Sequence, residues 1–211
     1  MLATVLPETS STTFLMSTQT KANLLRQKKR EQRRQLNASK QAKHAQQLAE
    51  RLLRHPTFID SQHIAAYLSN DGEIDPVHII EQAWKLGKQV YLPVLSAHEN
   101  SLLFAPFEKG NPMCRNQFGI DEPDCLPEHW LTAQHMDLIL LPLVAFDEQG
   151  NRMGMGGGFY DRSLADIRQQ EKPTQLIGLA HEIQKTDSLD VQSWDVPLDA
   201  VATDTVLYEF R

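Results

Sequence analysis

Residues 137–162 read DLILLPLVAFDEQGNRMGMGGGFYDR. The opening ten, 137–146, form the most hydrophobic run of the chain, of the length of a strand buried on both faces. Glycines then stand at 154, 156, 157 and 158, and Phe159, Tyr160 and Asp161 begin a helical pattern in which Tyr160, Leu164 and Ile167 share one face. A buried strand that empties into a nearly bare loop and then a helix is the unit of an α/β sheet, which takes its ligands at the carboxyl ends of its strands.

Outward from that stretch, apolar periods alternate. Residues 63–69, 89–95, 101–107, 175–180 and 200–210 read as strands, and 158–170 as a helix. Residues 75–87 read as a helix with Asp75 at the N-cap, Pro76 at the first position and Gly87 past the end. Residues 108–136 read as irregular. The fold class expected is α/β: a mostly parallel sheet with helices on both faces, three-layered and Rossmann-like, preceded by a basic N-terminal helix.

Residues 21–54 hold eleven Lys/Arg against Glu31 and Glu50, so this segment is +9 and the remainder −15 within a formal net charge of −6. The segment lacks Gly and Pro and reads as two helices broken near Asn37 to Ser39, either of which suits an N-cap, with Pro56 as the stop. A basic arm on an acidic body points to an anionic ligand for the arm. It argues against a nucleic-acid partner, because the body would repel a polyanion. No apolar run reaches the length of a membrane span. Residues 1–20 carry no ordered signal-peptide pattern and read as a disordered leader, with Met16 as an alternative start; residues 21–211 read as a single domain. Cys114 and Cys125 fit no zinc or redox spacing and read as reduced thiols. His181-Glu182 lacks the second histidine of a zinc-protease helix.

Two readings stand for the glycine loop. It is a bare connection, or it is a cradle in which successive backbone N–H groups, with a helix N-terminus behind them, hold a phosphate. It is not a Walker loop, since no Gly-Lys-Ser/Thr follows, nor a dinucleotide fingerprint, since Phe159 stands where the third glycine belongs. Asp161 is either a first-turn acid favoured by the helix dipole or a magnesium ligand beside a phosphate. Arg26, Arg30, Arg33 and Arg34, at three- and four-residue spacing, are either a solvated face or a clamp on phosphate oxygens.

An ordered set of segments carries a resemblance. LRQKKREQRRQL (25–36), YLSNDGEID (67–75), YLPVL (91–95), FGIDEP (118–123), the whole of 138–162, and WDVPLDAVATDTVLYE (194–209) resemble the 5-formyltetrahydrofolate cyclo-ligase family from about Lys21 onward. The resemblance implies an ATP- and Mg²⁺-dependent closure of 5-formyltetrahydrofolate to 5,10-methenyltetrahydrofolate by a cytoplasmic monomer with small-molecule partners and no membrane. It implies ATP contacts from Ala22, Arg26, Arg30, Arg152, Gly154, Gly156, Gly157, Gly158, Phe159 and Tyr160. Folate contacts fall to Leu68, Glu73, Met155 and the 156–159 stretch. Magnesium falls to Asp161 and Asp195, and catalytic roles to Arg152 and Tyr160. Where some members carry basic residues in the loop this chain has Met155 and Gly157, and Ala22 stands at the usual first lysine of the arm.

Overall fold

The computed structural model describes residues 18–96, 100–169 and 171–210. Met16 and most of the expected leader lie outside them. The last three leader residues do not behave as a leader: they open helix α1 (Thr18–Arg34), whose first turns are tied by Gln19 Nε2 donating to Asn23 Oδ1 at 3.2 Å. After a short turn, α2 (Ala38–Leu52) begins at Asn37, whose side chain accepts from the Lys40 amide at 2.9 Å and so satisfies an orphan donor. Ala45, Leu48, Ala49 and Leu52 form its buried stripe.

Pro56 does end the preceding helix, but it also opens α3 (Pro56–Asp60), the position where its missing N–H costs nothing. Strand β1 (His63–Ala65) is shorter than the 63–69 expected, because the chain leaves the sheet for a turn at 70–73. Helix α4 (Val77–Lys85) starts one residue later than expected, yet Asp75 Oδ1 still accepts from the Val77 amide at 3.0 Å. Its end is a Schellman motif: Lys88 N–H reaches Ala83 O and Gly87 N–H reaches Trp84 O.

Strands β2 (Gln89–Leu95) and β3 (Leu102–Pro106) pair antiparallel. The region expected to be irregular contains a hairpin, β4 (Met113–Arg115) with β5 (Asp121–Pro123). Its short strands carry too little apolar alternation to be read from sequence. The 137–146 run divides into β6 (Leu138–Pro142) and β7 (Ala145–Phe146). The latter pairs with β8 (Arg152–Met153), so a small ribbon intervenes between the central strand and the glycine loop. The expected 158–170 helix is α5 (Phe159–Leu164) followed by a 3-10 turn at Ile167–Gln169. β9 (Gln175–Leu179) is followed by β10 (Ala200–Ala202) and β11 (Leu207–Glu209), so the expected 200–210 strand is two strands around a turn.

Seven strands form one sheet in the order β11-β10-β9-β6-β1-β2-β3. The five inner strands are parallel and both edges antiparallel. Alternation along the strands separates two cores. Leu138, Leu140, Ile177 and Leu179 face α2 and α4, whereas Ile139, Leu141, Leu176 and Val201 pack with Leu164 and Ile167. Helices therefore cover both faces of a mostly parallel sheet with β6 at its centre. The Val144 amide donates to Met153 O at 2.7 Å and folds the ribbon back, which keeps the glycine loop beside the carboxyl end of β6.

Candidate active site

The loop from Gly154 to Gly158 is shaped by its glycines. Gly156 and Gly158 take φ of 96° and 66°, in the left-handed region where other residues are strained. Among the described residues no acceptor receives the amides of Gly154 to Gly158, and the first four of these residues are exposed. Two of the carbonyls are instead engaged by side chains. Arg26 Nε donates to Gly154 O at 2.9 Å and Arg162 Nη2 to Gly157 O at 2.7 Å. With these oxygens bonded to arginines and its N–H groups unreceived, the loop presents donors. A Cβ on Gly157 would lie 2.8 Å from the Phe159 ring, and one on Gly156 would meet the Arg26 guanidinium at 3.7 Å.

The two ends of the loop are clipped together by Arg152 Nη2 and Asp161 Oδ1 at 2.8 Å, with the Arg152 side chain only 6% exposed. The other carboxylate oxygen, Asp161 Oδ2, has no partner among the described residues, and Arg152 Nε is buried without an acceptor. Beside this clip lies Tyr160. Burial raises its pKa, and the neighbouring Glu73 adds to this against Arg152, so the phenol stays protonated as a hydrogen-bond donor. The Glu73 carboxyl is also raised, by burial first, with Arg33 and the Asn70 amide opposing. Tyr67 completes the group, its hydroxyl donating to Ile74 O at 2.7 Å.

Four basic residues of the arm turn inward. Arg30 Nε and Arg33 Nη2 contact Asp71 Oδ2 at 2.7 and 2.8 Å, and Arg34 pairs with Asp71 Oδ1. Arg33 is fully buried; it also donates to Asp71 O and Leu143 O and lies 3.6 Å from Glu73. Burial works to raise the Asp71 pKa, but the bonds from Arg30, Arg33 and Arg34 prevail and bring it to about 2. Lys29 is bound to Ile183 O at 2.7 Å. Among the predicted ATP contacts of the arm, Arg26 reaches the loop and Arg30 is held on Asp71; Ala22 lies one turn before Arg26 on the same helix.

The structure thus brings Arg26, Arg152, Gly154, Met155, Gly156, Gly157, Gly158, Phe159, Tyr160 and Asp161 into one neighbourhood, with Glu73 facing Tyr160 and half-buried Leu68 just ahead of the 70–73 turn. Asp195 belongs to a different loop, where its Oδ2 accepts the Gln192 amide at 2.8 Å; among the described residues no bond ties it to Asp161. Sequence reasoning missed four residues. Asp71, at a φ of 53° and bound by three arginines, has a role that no local pattern encodes. Tyr67 gave no signal beyond an apolar strand. Arg162 was quoted without a role. Phe118 packs edge-on against Phe159 at 5.6 Å from the β4–β5 hairpin, a contact no local pattern encodes.

Comparison with known proteins gives a consistent picture. Residues 18–204 match the model of the 5-formyltetrahydrofolate cyclo-ligase family. The 5-formyltetrahydrofolate cyclo-ligase of Escherichia coli K12 is 41% identical over 182 residues, 86% of this chain and 99% of that protein. The Haemophilus influenzae protein of the same name is 40% identical over 184 residues, 87% and 97% of the two chains. The NMR structure of Aquifex aeolicus 5,10-methenyltetrahydrofolate synthetase superposes with a TM-score of 0.76 at 26% identity, covering 90% of this chain and 93% of that one. On these matches the chain is an enzyme, a ligase, and belongs to the 5-formyltetrahydrofolate cyclo-ligase family.

Proposed function

We propose that this single-domain chain closes 5-formyltetrahydrofolate to 5,10-methenyltetrahydrofolate with ATP, and that the Gly154–Gly158 loop binds the triphosphate. The observation that carries this is the row of unreceived loop amides braced by Arg26 and Arg162. The chemistry demands such a site. A formamide oxygen is a poor leaving group, so it must first attack the γ-phosphorus of ATP, with ADP as the departing group. N10 of the folate then adds to the activated formyl carbon; the C–O bond breaks, phosphate leaves, and N10 loses its proton. Little covalent work falls to the protein, whose task is in-line positioning and charge neutralisation.

The residues suit those tasks. Loop amides and the Arg26 guanidinium meet phosphate oxygens. Arg152, out of water, concentrates positive charge at the loop base. The Tyr160 hydroxyl donates to the oxygen that gains charge, and Glu73 offers a carboxyl to the donor edge of the pterin. Leu68, Met155 and Phe159 supply apolar contact to the folate. The open Oδ2 of Asp161, next to exposed amides, fits a magnesium ligand, and Asp195 would join it through a closing of the 192–196 loop. Magnesium held there would neutralise charge on the phosphates.

A nucleic-acid function gains no support, because Arg30, Arg33, Arg34 and Lys29 are committed to protein acceptors. We place the enzyme in the cytoplasm as a monomer. The test is an absorbance assay for the methenyl product from 5-formyltetrahydrofolate with and without ATP. ATP-dependent product is expected, and product formed equally without ATP would overturn the reading.

A further inference from the structure

Away from the loop, three ligand-bearing side chains from separate elements converge. His44 comes from α2, His181 follows the carboxyl end of β9, and Asp204 follows the carboxyl end of β10. His44 Nδ1 lies 3.0 Å from His181 Nδ1 and 3.6 Å from Asp204 Oδ1, and the three residues offer ligand atoms within 4.8 Å of one another. Tetrahedral zinc with bonds of about 2.0–2.1 Å requires ligand atoms roughly 3.3 Å apart, so two of the three edges already bracket the value.

We infer that His44, His181 and Asp204 form a binding site for a single zinc ion, with a water in the fourth position on the partly exposed His44 side. Two imidazoles and one carboxylate select a borderline cation over Mg²⁺, which prefers oxygen throughout. The supporting shell is in place. Asp204 Oδ1 is fixed by the Glu182 amide at 2.7 Å, and Arg51 holds the Asp204 carbonyl at 2.6 Å. His181 is fully buried, and its Nε2 has no hydrogen bond of good geometry, lying against the Gly72 backbone. Without metal, one facing Nδ1 donates to the other, the tautomers setting the direction. A metal would replace that bond by taking both lone pairs and leaving each proton on Nε2.

The site has a mechanical consequence. Gly72 sits on both His181 and the backbone of Arg33, where an added Cβ would lie 3.3 Å away. Zinc would therefore stiffen the 70–73 turn that carries Glu73, and it adds a metal requirement separate from the magnesium that accompanies ATP.

The test is titration of the chelator-treated full chain with Zn²⁺ in excess Mg²⁺ by calorimetry, with Co²⁺ absorption spectra and thermal melts alongside. The expected result is one Zn²⁺ per chain, tetrahedral Co²⁺ bands, and a melting temperature raised by about 5–10 °C at a hundred times Kd. All three should vanish in H44Q and in D204N and persist in C114S/C125S, which removes both cysteine thiols. Zinc binding in H44Q equal to the parent, no binding in the parent, or loss of binding in the cysteine variant would each overturn the site. Should a ligand variant fail to fold, the parent's Co²⁺ spectrum decides: weak octahedral bands or a thiolate charge-transfer band would contradict a two-imidazole, one-carboxylate tetrahedron.

Discussion

Asp161 and Asp71 show how one carboxylate type serves two ends. Asp161 keeps one oxygen on Arg152 and one open beside the loop amides. Asp161→Asn is expected to reduce kcat/KM for ATP-dependent turnover by about a hundredfold and, by taking the counter-charge from buried Arg152, to lower the melting temperature; near-normal turnover at limiting magnesium would remove Asp161 from the metal site. Asp71 instead holds Arg30, Arg33 and Arg34 together. Its folded pKa of about 2 lies below the ordinary 3.8, so its stabilisation is complete above pH 4 and is lost as the pH falls toward 2. Asp71→Asn leaves a fully buried arginine without its nearest counter-charge and is expected to cost about 3 kcal/mol, a fall of roughly 6–12 °C in melting temperature. The variant should also lose part of the parent's decline in stability between pH 4 and 2. An unchanged pH profile would show that the clasp adds nothing.

Elements were legible where a period or a cap announced them. The α2 stripe, the Asn37 cap, the Gly87 terminus and the β6 run all follow from local chemistry that the sequence carries in order. The β4–β5 hairpin and the 145–153 ribbon were not legible, because strands of two or three residues are held by partners rather than by pattern. The same limit applies to the site. Glycines announced the loop, but the inward turn of Arg30, Arg33 and Arg34 depends on a single aspartate 37 to 41 positions away. At this scale the loop and the arm make separable predictions. Gly157→Val places a branched side chain against Phe159 and over the amides, and it should abolish measurable ATP binding with the fold retained; parent-like affinity would refute the cradle. Arg26→Ala should raise KM for ATP about tenfold, the worth of one charge-assisted hydrogen bond, and leave KM for folate nearly unchanged. The reverse order would assign the arm to the folate.

Across the whole molecule, the acidic body and the basic arm form one electrostatic device. Four of the arm's eleven basic residues, Lys29, Arg30, Arg33 and Arg34, fasten α1 to the 70–73 turn and the 183–185 segment, and Arg26 reaches the loop. The parallel sheet then gathers the glycine loop, Glu73 and the His44–His181–Asp204 group toward its carboxyl edge, so that the proposed nucleotide, folate and metal sites share one rim. The most direct test of the central claim is a crystal structure with a non-hydrolysable ATP analogue and magnesium. Phosphate oxygens should lie about 3 Å from the amides of Gly154 to Gly158, with the Arg26 guanidinium alongside. A nucleotide bound elsewhere, with those amides still facing water, would contradict it.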